Sequence, residues 1–176
     1  MPNRTIPALS IISICAVLAA GCDGGGGGPS GGGCTPSADT CTGESICVAG
    51  ACEAAFGRIY TIMDVSVSVP TTDETGAAWD AFGGAPDPFI VVLVNGSTVA
   101  TSATRNDTFS GTFSGPYNAT LIAGSSLAIQ VWDEDVSAND LMFTCQASPI
   151  GADLLRQRSL ACSSGGFTVS FQIDPR

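Results

Sequence analysis

The chain has 176 residues, with 16 acidic residues, six arginines, no lysine and no histidine, and its formal net charge is −10. So acidic a chain has no positive surface for direct binding to nucleic acid or to an anionic bilayer, and it can reach an anionic partner only through a bridging cation. The absence of histidine excludes serine–histidine catalysis, and we predict that the protein is not an enzyme.

The N-terminal segment has the features of a bacterial export signal. Arg4 precedes an uncharged apolar run, Ile6 to Ala20, that is short for a membrane span. The sequence Leu18-Ala19-Ala20-Gly21-Cys22 resembles the lipobox of bacterial lipoproteins, in which the cysteine becomes the lipidated first residue. We therefore predict a signal peptide over residues 1–21 and a lipid anchor on Cys22. Cleavage after one of the alanines, which leaves Cys22 a free thiol, is the alternative.

This signal predicts an exported protein, anchored by lipid in the cell envelope and facing the periplasm or the cell surface. After Cys22 the chain is almost entirely glycine up to residue 33. Such a segment cannot pack and is typical of a flexible tether, so residues 22–33 are predicted to be a lipidated cysteine followed by a linker.

A small cysteine-rich module is predicted over residues 34–54. Four cysteines fall in a segment too short for a hydrophobic core, which in an exported chain indicates two disulfides. They are Cys34, Cys41, Cys47 and Cys52. Three pairings are compatible with the sequence. A zinc site is disfavoured, because histidine is absent and the spacings lack the short paired turns of such sites.

Strand patterns dominate residues 58–176. Apolar and polar residues alternate from Ile59 to Val69, Phe89 to Val94 is continuously apolar, and Asn95-Gly96 predicts a hairpin turn. Further strands are predicted at 99–104, 108–113, 119–122, 127–131 and 167–173, and a helical turn at 152–158. Seven or eight strands in this length indicate an all-β, two-sheet antiparallel sandwich. Cys145 and Cys162 are predicted to form a bridge within it.

Aspartates are concentrated beside two of these strands. One group precedes the strand at Phe89 and the other follows the strand ending at Val131; together they are Asp80, Asp87, Asp133, Asp135 and Asp140. Carboxylates this dense repel one another unless water or a cation separates them, and Ca²⁺ takes about six to eight oxygen ligands, often from loops. We predict a calcium site formed by two loops at one end of the sandwich. Two alternatives are weaker. The aspartates could simply occupy turns, which acidic residues favour, or two of them could form a carboxylate pair for glycoside hydrolysis.

The order of these features resembles a C2 domain. Asp80, then Asp87-Pro88-Phe89 before an apolar strand, then Asp133-Glu134-Asp135 after another and Asp140 beyond a short gap, match the pattern of its calcium loops. The resemblance implies an eight-stranded sandwich whose loops bind calcium, often to dock on anionic phospholipid. It implies that the five aspartates are ligands and that Glu134 points away from the ion.

Three functions are compatible with these patterns. The first is a lipid-anchored calcium-binding module that contacts anionic phospholipid or a surface protein through its loops. The second is a structural or adhesive surface lipoprotein in which calcium only stiffens the acidic loops. The third is an accessory protein of an exported complex.

Overall fold

The structure is a computed structural model that describes residues 33–73, 75–80, 84–136 and 138–176. The predicted signal peptide, Cys22 and the linker up to residue 32 lie outside these residues. Within the described ranges, no helix is long and apolar enough to cross a membrane.

The four-cysteine segment folds around a short hairpin. Strands β1 (Ser45–Val48) and β2 (Ala51–Ala54) pair antiparallel. Both predicted disulfides are present, and the structure selects one of the three pairings: Cys34 with Cys47 and Cys41 with Cys52. These crosslinks constrain a segment that is too small to bury a core of its own.

The remaining strands form two antiparallel sheets. The first contains β3 (Arg58–Ser68), β6 (Ser110–Phe113), β7 (Tyr117–Leu121), β10 (Ser159–Ser164) and β11 (Phe167–Pro175). The second contains β4 (Pro88–Val94), β5 (Ser97–Thr101), β8 (Leu127–Asp133) and β9 (Asp140–Ala147). The order is β10–β11–β3 in the first sheet, with β6 and β7 both beside β3, and β5–β4–β8–β9 in the second. The predicted antiparallel sandwich is confirmed.

Strands β6 and β7 together occupy one edge position. Ser110–Phe113 pairs with the second half of β3, and Tyr117–Leu121 pairs with its first half. Between them Gly115 has a φ of 78°, which suits glycine, and Pro116 has no N–H to offer a ladder. The nine strands therefore fill eight positions, which is how the expected eight-stranded arrangement is realised.

The set of alternate residues in β3 that faces the core changes in the middle of the strand. Tyr60 and Ile62 are buried in its first half, whereas Val65 and Val67 are buried in its second half. The switch occurs at Asp64, whose φ is 50° and which lies within an irregularity in the register with β11. A bulge adds one residue and so reverses the inward face, because strand periodicity is two. The uninterrupted alternation predicted from Ile59 was therefore wrong in its first half, and Ile59 is exposed.

The hairpin and the helical turn are where the sequence predicts them. Asn95 and Gly96 have φ values of 51° and 76°, as a two-residue hairpin turn requires, and they connect β4 to β5. Helix α1 (Ala152–Arg156) is a single short turn.

Strands β9 and β10 were not among the strands predicted. They lie at the edges of different sheets, and the disulfide between Cys145 and Cys162 connects them. That bridge therefore ties the two layers of the sandwich together along one side.

The two ends of the sandwich carry different residues. The end that we call the base contains Arg58, Leu121 and Leu127; the backbone N–H of Gly57 bonds to the carbonyl oxygen of Leu121 there. The opposite end, the loop end, contains Ser68, Pro88 and Asp133.

The cysteine module packs on the base. Ile46 of the module and Ala55, which directly follows the module, are fully buried and belong to the same apolar cluster as the sandwich core. The buried hydroxyl of Tyr60 donates a hydrogen bond of 2.6 Å to the carbonyl oxygen of Ala55. Arg156 donates to the carbonyl oxygens of Gly43 and Ser45, at 3.0 and 2.7 Å.

Candidate metal centre

Three neighbouring strands bring aspartates to the loop end. Asp87 immediately precedes β4, Asp133 is the last residue of β8, and Asp140 is the first residue of β9. The register places Pro88 opposite Asp133 and Asp133 opposite Asp140. Antiparallel pairing thus gathers acidic residues that are far apart in the sequence at one end of the strands of the four-stranded sheet.

Asp133 is the most enclosed of the five aspartates, with 1% of its surface exposed. Leu127, Ile129 and Val131 face the core along β8, and the same period of two carries Asp133 inward. The backbone N–H of Asp87 donates a hydrogen bond of 2.7 Å to its Oδ1. A buried carboxylate requires such donors or a counter-ion, because desolvation disfavours its charge.

Asp87 accepts hydrogen bonds from the loop that follows β8 and from the connection between β5 and β6. Its carbonyl oxygen accepts a 3.0 Å bond from the N–H of Glu134, and its Oδ1 accepts a 2.6 Å bond from the N–H of Asp107. The side chain of Glu134 is exposed.

Asp107 was not among the predicted site residues. The Asn106-Asp107 pair indicates a turn between two strands, but it gives no sign that this turn reaches Asp87. Asp107 has a φ of 51°, which aspartate tolerates better than most residues do. Its position makes the connection between β5 and β6 the third segment of the site.

Asp80 lies in the first loop, against the backbone of Gly84. A Cβ built on Gly84 would lie 2.8 Å from Oδ2 of Asp80, closer than side chains tolerate. Gly84 therefore leaves the space that the Asp80 carboxylate occupies. Phe82, which the sequence places near this loop tip, lies outside the described residues.

Asp135 and Asp140 complete the cluster from the loop between β8 and β9. The side-chain oxygen of Asn139 accepts a 3.2 Å bond from the N–H of Asp135, which closes the loop on itself. Asp135 is partly buried, and Asp140 is exposed. Val136, between them, is fully exposed and is the apolar tip of this loop.

The charges of the five aspartates act on one another. The pKa of Asp133 is raised to about 6: burial is the largest cause, the hydrogen bond from Asp87 opposes it, and the charges of Asp135, Asp80 and Asp87 add to it. Burial also raises the pKa of Asp135, as do the charges of Asp140, Asp80 and Asp87. The structure thus brings all five predicted residues into one electrostatic neighbourhood.

No arginine in the described ranges neutralises this cluster. The ion pairs there join Arg58 to Glu53, Arg156 to Asp153 and Arg158 to Asp174. The backbone of Arg105 does approach the site, bonding to the carbonyl oxygen of Pro88, but its guanidinium donates to Thr112 and lies over the ring of Phe113. Among the described residues, the negative charge of the cluster is therefore not balanced by an arginine side chain.

The donor set fits a hard divalent cation. All five side chains offer carboxylate oxygens, which are the ligands that Ca²⁺ prefers in proteins. Among the described residues, the three potential ligand atoms that lie within 4.8 Å of one another are the sulfurs of Cys34, Cys41 and Cys52, which are consumed in disulfides. The carboxylate oxygens of no three of the five aspartates, all of which lie in the described ranges, come within 4.8 Å of one another.

Comparison with known proteins gives a likeness of fold. No protein-family model and no curated protein sequence matches this chain. Among solved structures, one described as the structure of a C2 domain matches with a TM-score of 0.53 and 14% identity, covering 67% of this chain and 97% of that one. The calcium-bound pair of C2 domains of extended synaptotagmin 2 matches with a TM-score of 0.51 and 16% identity, over 67% of this chain and 45% of that one.

A third match is human GIVD cytosolic phospholipase A2, with a TM-score of 0.52 and 14% identity, covering 66% of this chain. The chain spans 16% of that enzyme and less than half of the synaptotagmin fragment. At these identities the matches show the fold alone, and the sandwich is C2-like.

Proposed function

We propose that this protein is an exported, lipid-anchored C2-like module that binds Ca²⁺ through its aspartate loops. The observation that carries the proposal is the burial of Asp133 beside Asp87, inside the field of the Asp135, Asp80 and Asp87 carboxylates. A structural core position would favour an apolar residue there, whereas a cation gives a buried carboxylate a counter-charge. Asp80, Asp87, Asp133, Asp135 and Asp140 are the proposed ligands.

Isothermal titration of the protein with CaCl₂ tests this proposal. Asp133→Asn keeps an oxygen to accept the bond from Asp87 but removes the central charge, so we expect calcium affinity to fall at least about tenfold. Asp64→Asn is the matched control, because Asp64 is an exposed aspartate of β3 outside the cluster. Equal calcium binding by the wild type and Asp133→Asn would refute the assigned site.

The proposed partner of the calcium-loaded loops is anionic phospholipid. The chain has no lysine and few arginines, so a bound cation would supply the attraction to phosphate groups. Val136 offers one exposed apolar side chain at the loop tip. Co-sedimentation with phosphatidylserine-containing vesicles should require calcium and be abolished by chelator. Binding that chelator leaves unchanged would contradict calcium-mediated docking.

A structural or adhesive surface lipoprotein is the second candidate. The observation that favours it is the close bonding among the loops: Asp87 accepts from Asp107, and Asp135 donates to Asn139. In this case calcium would raise the melting temperature without producing any binding to vesicles. Neither candidate involves catalysis.

A further inference from the structure

We propose that Trp79 is a positioning residue of the calcium site, which holds Asp80 in place by fixing the first loop to the rings of Phe143 and Phe167. We call these two rings the aromatic seat. This inference rests on the proposed calcium binding. It adds a residue that does not bind the ion itself but sets the affinity of the site for it.

The first loop is long enough to need such a contact. It runs over residues 69–87 between β3 and β4, and its described part contains no strand or helix. A loop of this length without secondary structure samples many conformations unless side chains fix it to the body of the protein. Asp80 lies near the middle of the loop, where the two flanking strands constrain it least.

Trp79, the residue before Asp80, is held in two ways. Its Nε1–H donates a 2.8 Å hydrogen bond to the carbonyl oxygen of Pro70. Its partly buried ring makes an edge-to-face contact with Phe167, with ring centroids 6.0 Å apart and planes at 74°, the geometry that aromatic pairs prefer. Consecutive Cα atoms are about 3.8 Å apart, so fixing Trp79 directly restricts where Asp80 can lie.

The aromatic seat belongs to both sheets of the sandwich. Phe167 is the first residue of β11, and Phe143 lies in β9. Their rings are stacked, with centroids 5.2 Å apart and planes 3° apart, and both pack against the core. A row of rings from Trp79 through Phe167 to Phe143 therefore connects the first loop to β9, the strand that begins with Asp140.

The first half of the loop is a turn that bonds within itself. Oδ1 of Asp73 accepts hydrogen bonds from the N–H groups of Thr75 and Ala77, both at 2.8 Å. These bonds stay within the loop and do not fix its position on the sandwich. Pro70 lies against the turn between β10 and β11, where a Cβ built on Gly166 would be 3.2 Å from Cβ of Pro70. The loop is therefore positioned beside the aromatic seat by its packing.

Preorganisation explains why the affinity for calcium depends on this contact. A ligand that must be ordered when the ion binds costs conformational entropy, which lowers the affinity. Groups that orient metal ligands without touching the metal typically contribute roughly 10- to 100-fold to metal affinity. Because Trp79 holds Asp80 before the ion arrives, its substitution weakens calcium binding while leaving all five carboxylates in the chain.

Calcium titration of two Trp79 variants tests this role. Trp79→Leu removes both the hydrogen bond and the aromatic contact, whereas Trp79→Phe keeps a ring for Phe167 and removes the N–H donor. Trp132→Phe is the matched control, because Trp132 is also partly buried beside the site but donates to Gln130 in its own strand. Heat is measured on addition of CaCl₂ to each full-length protein, well below its melting temperature in chelator.

We expect Trp79→Leu to bind calcium about tenfold more weakly than the wild type, Trp79→Phe to show a smaller but measurable loss, and Trp132→Phe to bind as the wild type does. If Trp79→Leu does not fold, Trp79→Phe decides the question by the same comparison.

A lower melting temperature with wild-type calcium affinity in the Trp79 variants would mean that Trp79 only stabilises the fold, and the proposed function would stand. Equal losses in Trp132→Phe and the Trp79 variants would also overturn the positioning role. If the wild type itself does not bind calcium, the proposed function fails and this inference with it.

Discussion

Asp87 and Asp133 are separated by 46 positions in the chain, yet the backbone N–H of one donates a 2.7 Å hydrogen bond to the carboxylate of the other. This bond joins the first loop to the end of β8 without the help of an ion. It fixes one oxygen of Asp133, while burial and neighbouring charges oppose the ionisation of its carboxyl group. The loop end is therefore held by a hydrogen bond but is electrostatically unfavourable, and its stability should respond to pH and to calcium.

The calcium-free protein should lose stability as pH rises from about 4 to about 6. The pKa of Asp133 is raised from 3.8 to about 6 in the folded state, so within this window the folded state binds more protons than the unfolded state, and the free energy of unfolding falls with pH. The effect is about 3 kcal/mol at most. Urea unfolding in chelator, compared between wild type and Asp133→Asn, measures it. Identical pH profiles for the two proteins would rule out this role for Asp133.

Gly84→Ala should weaken calcium binding without unfolding the protein. The added methyl would lie 2.8 Å from Oδ2 of Asp80 and would displace that carboxylate. We expect a several-fold loss of calcium affinity by titration and a nearly unchanged melting temperature in chelator. Gly151→Ala is the control, because a Cβ built on Gly151 meets nothing within 4 Å. If both variants bind calcium as the wild type does, Asp80 is not a ligand.

Tyr60→Phe should destabilise the joint between the cysteine module and the base. The Tyr60 hydroxyl is buried, burial raises its pKa to about 12, and it donates to the carbonyl oxygen of Ala55. Removing the donor leaves that carbonyl unsatisfied, at a cost of about 1–3 kcal/mol in unfolding free energy. Denaturant unfolding measures this cost. Calcium affinity should remain unchanged, because Tyr60 lies near the opposite end, and a large change in affinity would contradict the separation of the two ends.

Removing the bridge between β9 and β10 should destabilise the sandwich. Cys145 and Cys162 are 17 positions apart, and in the chain-entropy model a crosslink of this span contributes about 3 kcal/mol. The double variant Cys145→Ala/Cys162→Ala should show this loss in denaturant unfolding under oxidising conditions. Adding reductant to the wild type would also open the two module disulfides, so the double variant is the cleaner comparison. Unaltered stability would mean that core packing alone holds the sheets together.

The strands that bear the site were largely predictable because their patterns are local. Phe89 to Val94 is continuously apolar, and Leu127, Ile129 and Val131 alternate, so both strands could be located without knowing their partners. The Asn95-Gly96 turn was likewise predictable, because its backbone conformation depends on those two residues. In β3, by contrast, the bulge at Asp64 changes which alternate residues face the core, and no local sequence pattern predicts that bulge.

The sequence by itself determined which residues could form an acidic site and that they would stand at strand ends, because periodicity and residue type are properties of short segments. Only the tertiary structure decided that Asp107 reaches Asp87, that the module cysteines pair as Cys34–Cys47 and Cys41–Cys52, and that the module sits opposite the loops. These arrangements depend on which strand pairs with which and in what register. Pairing between distant segments follows from the packing of the whole core, which no single stretch of sequence encodes.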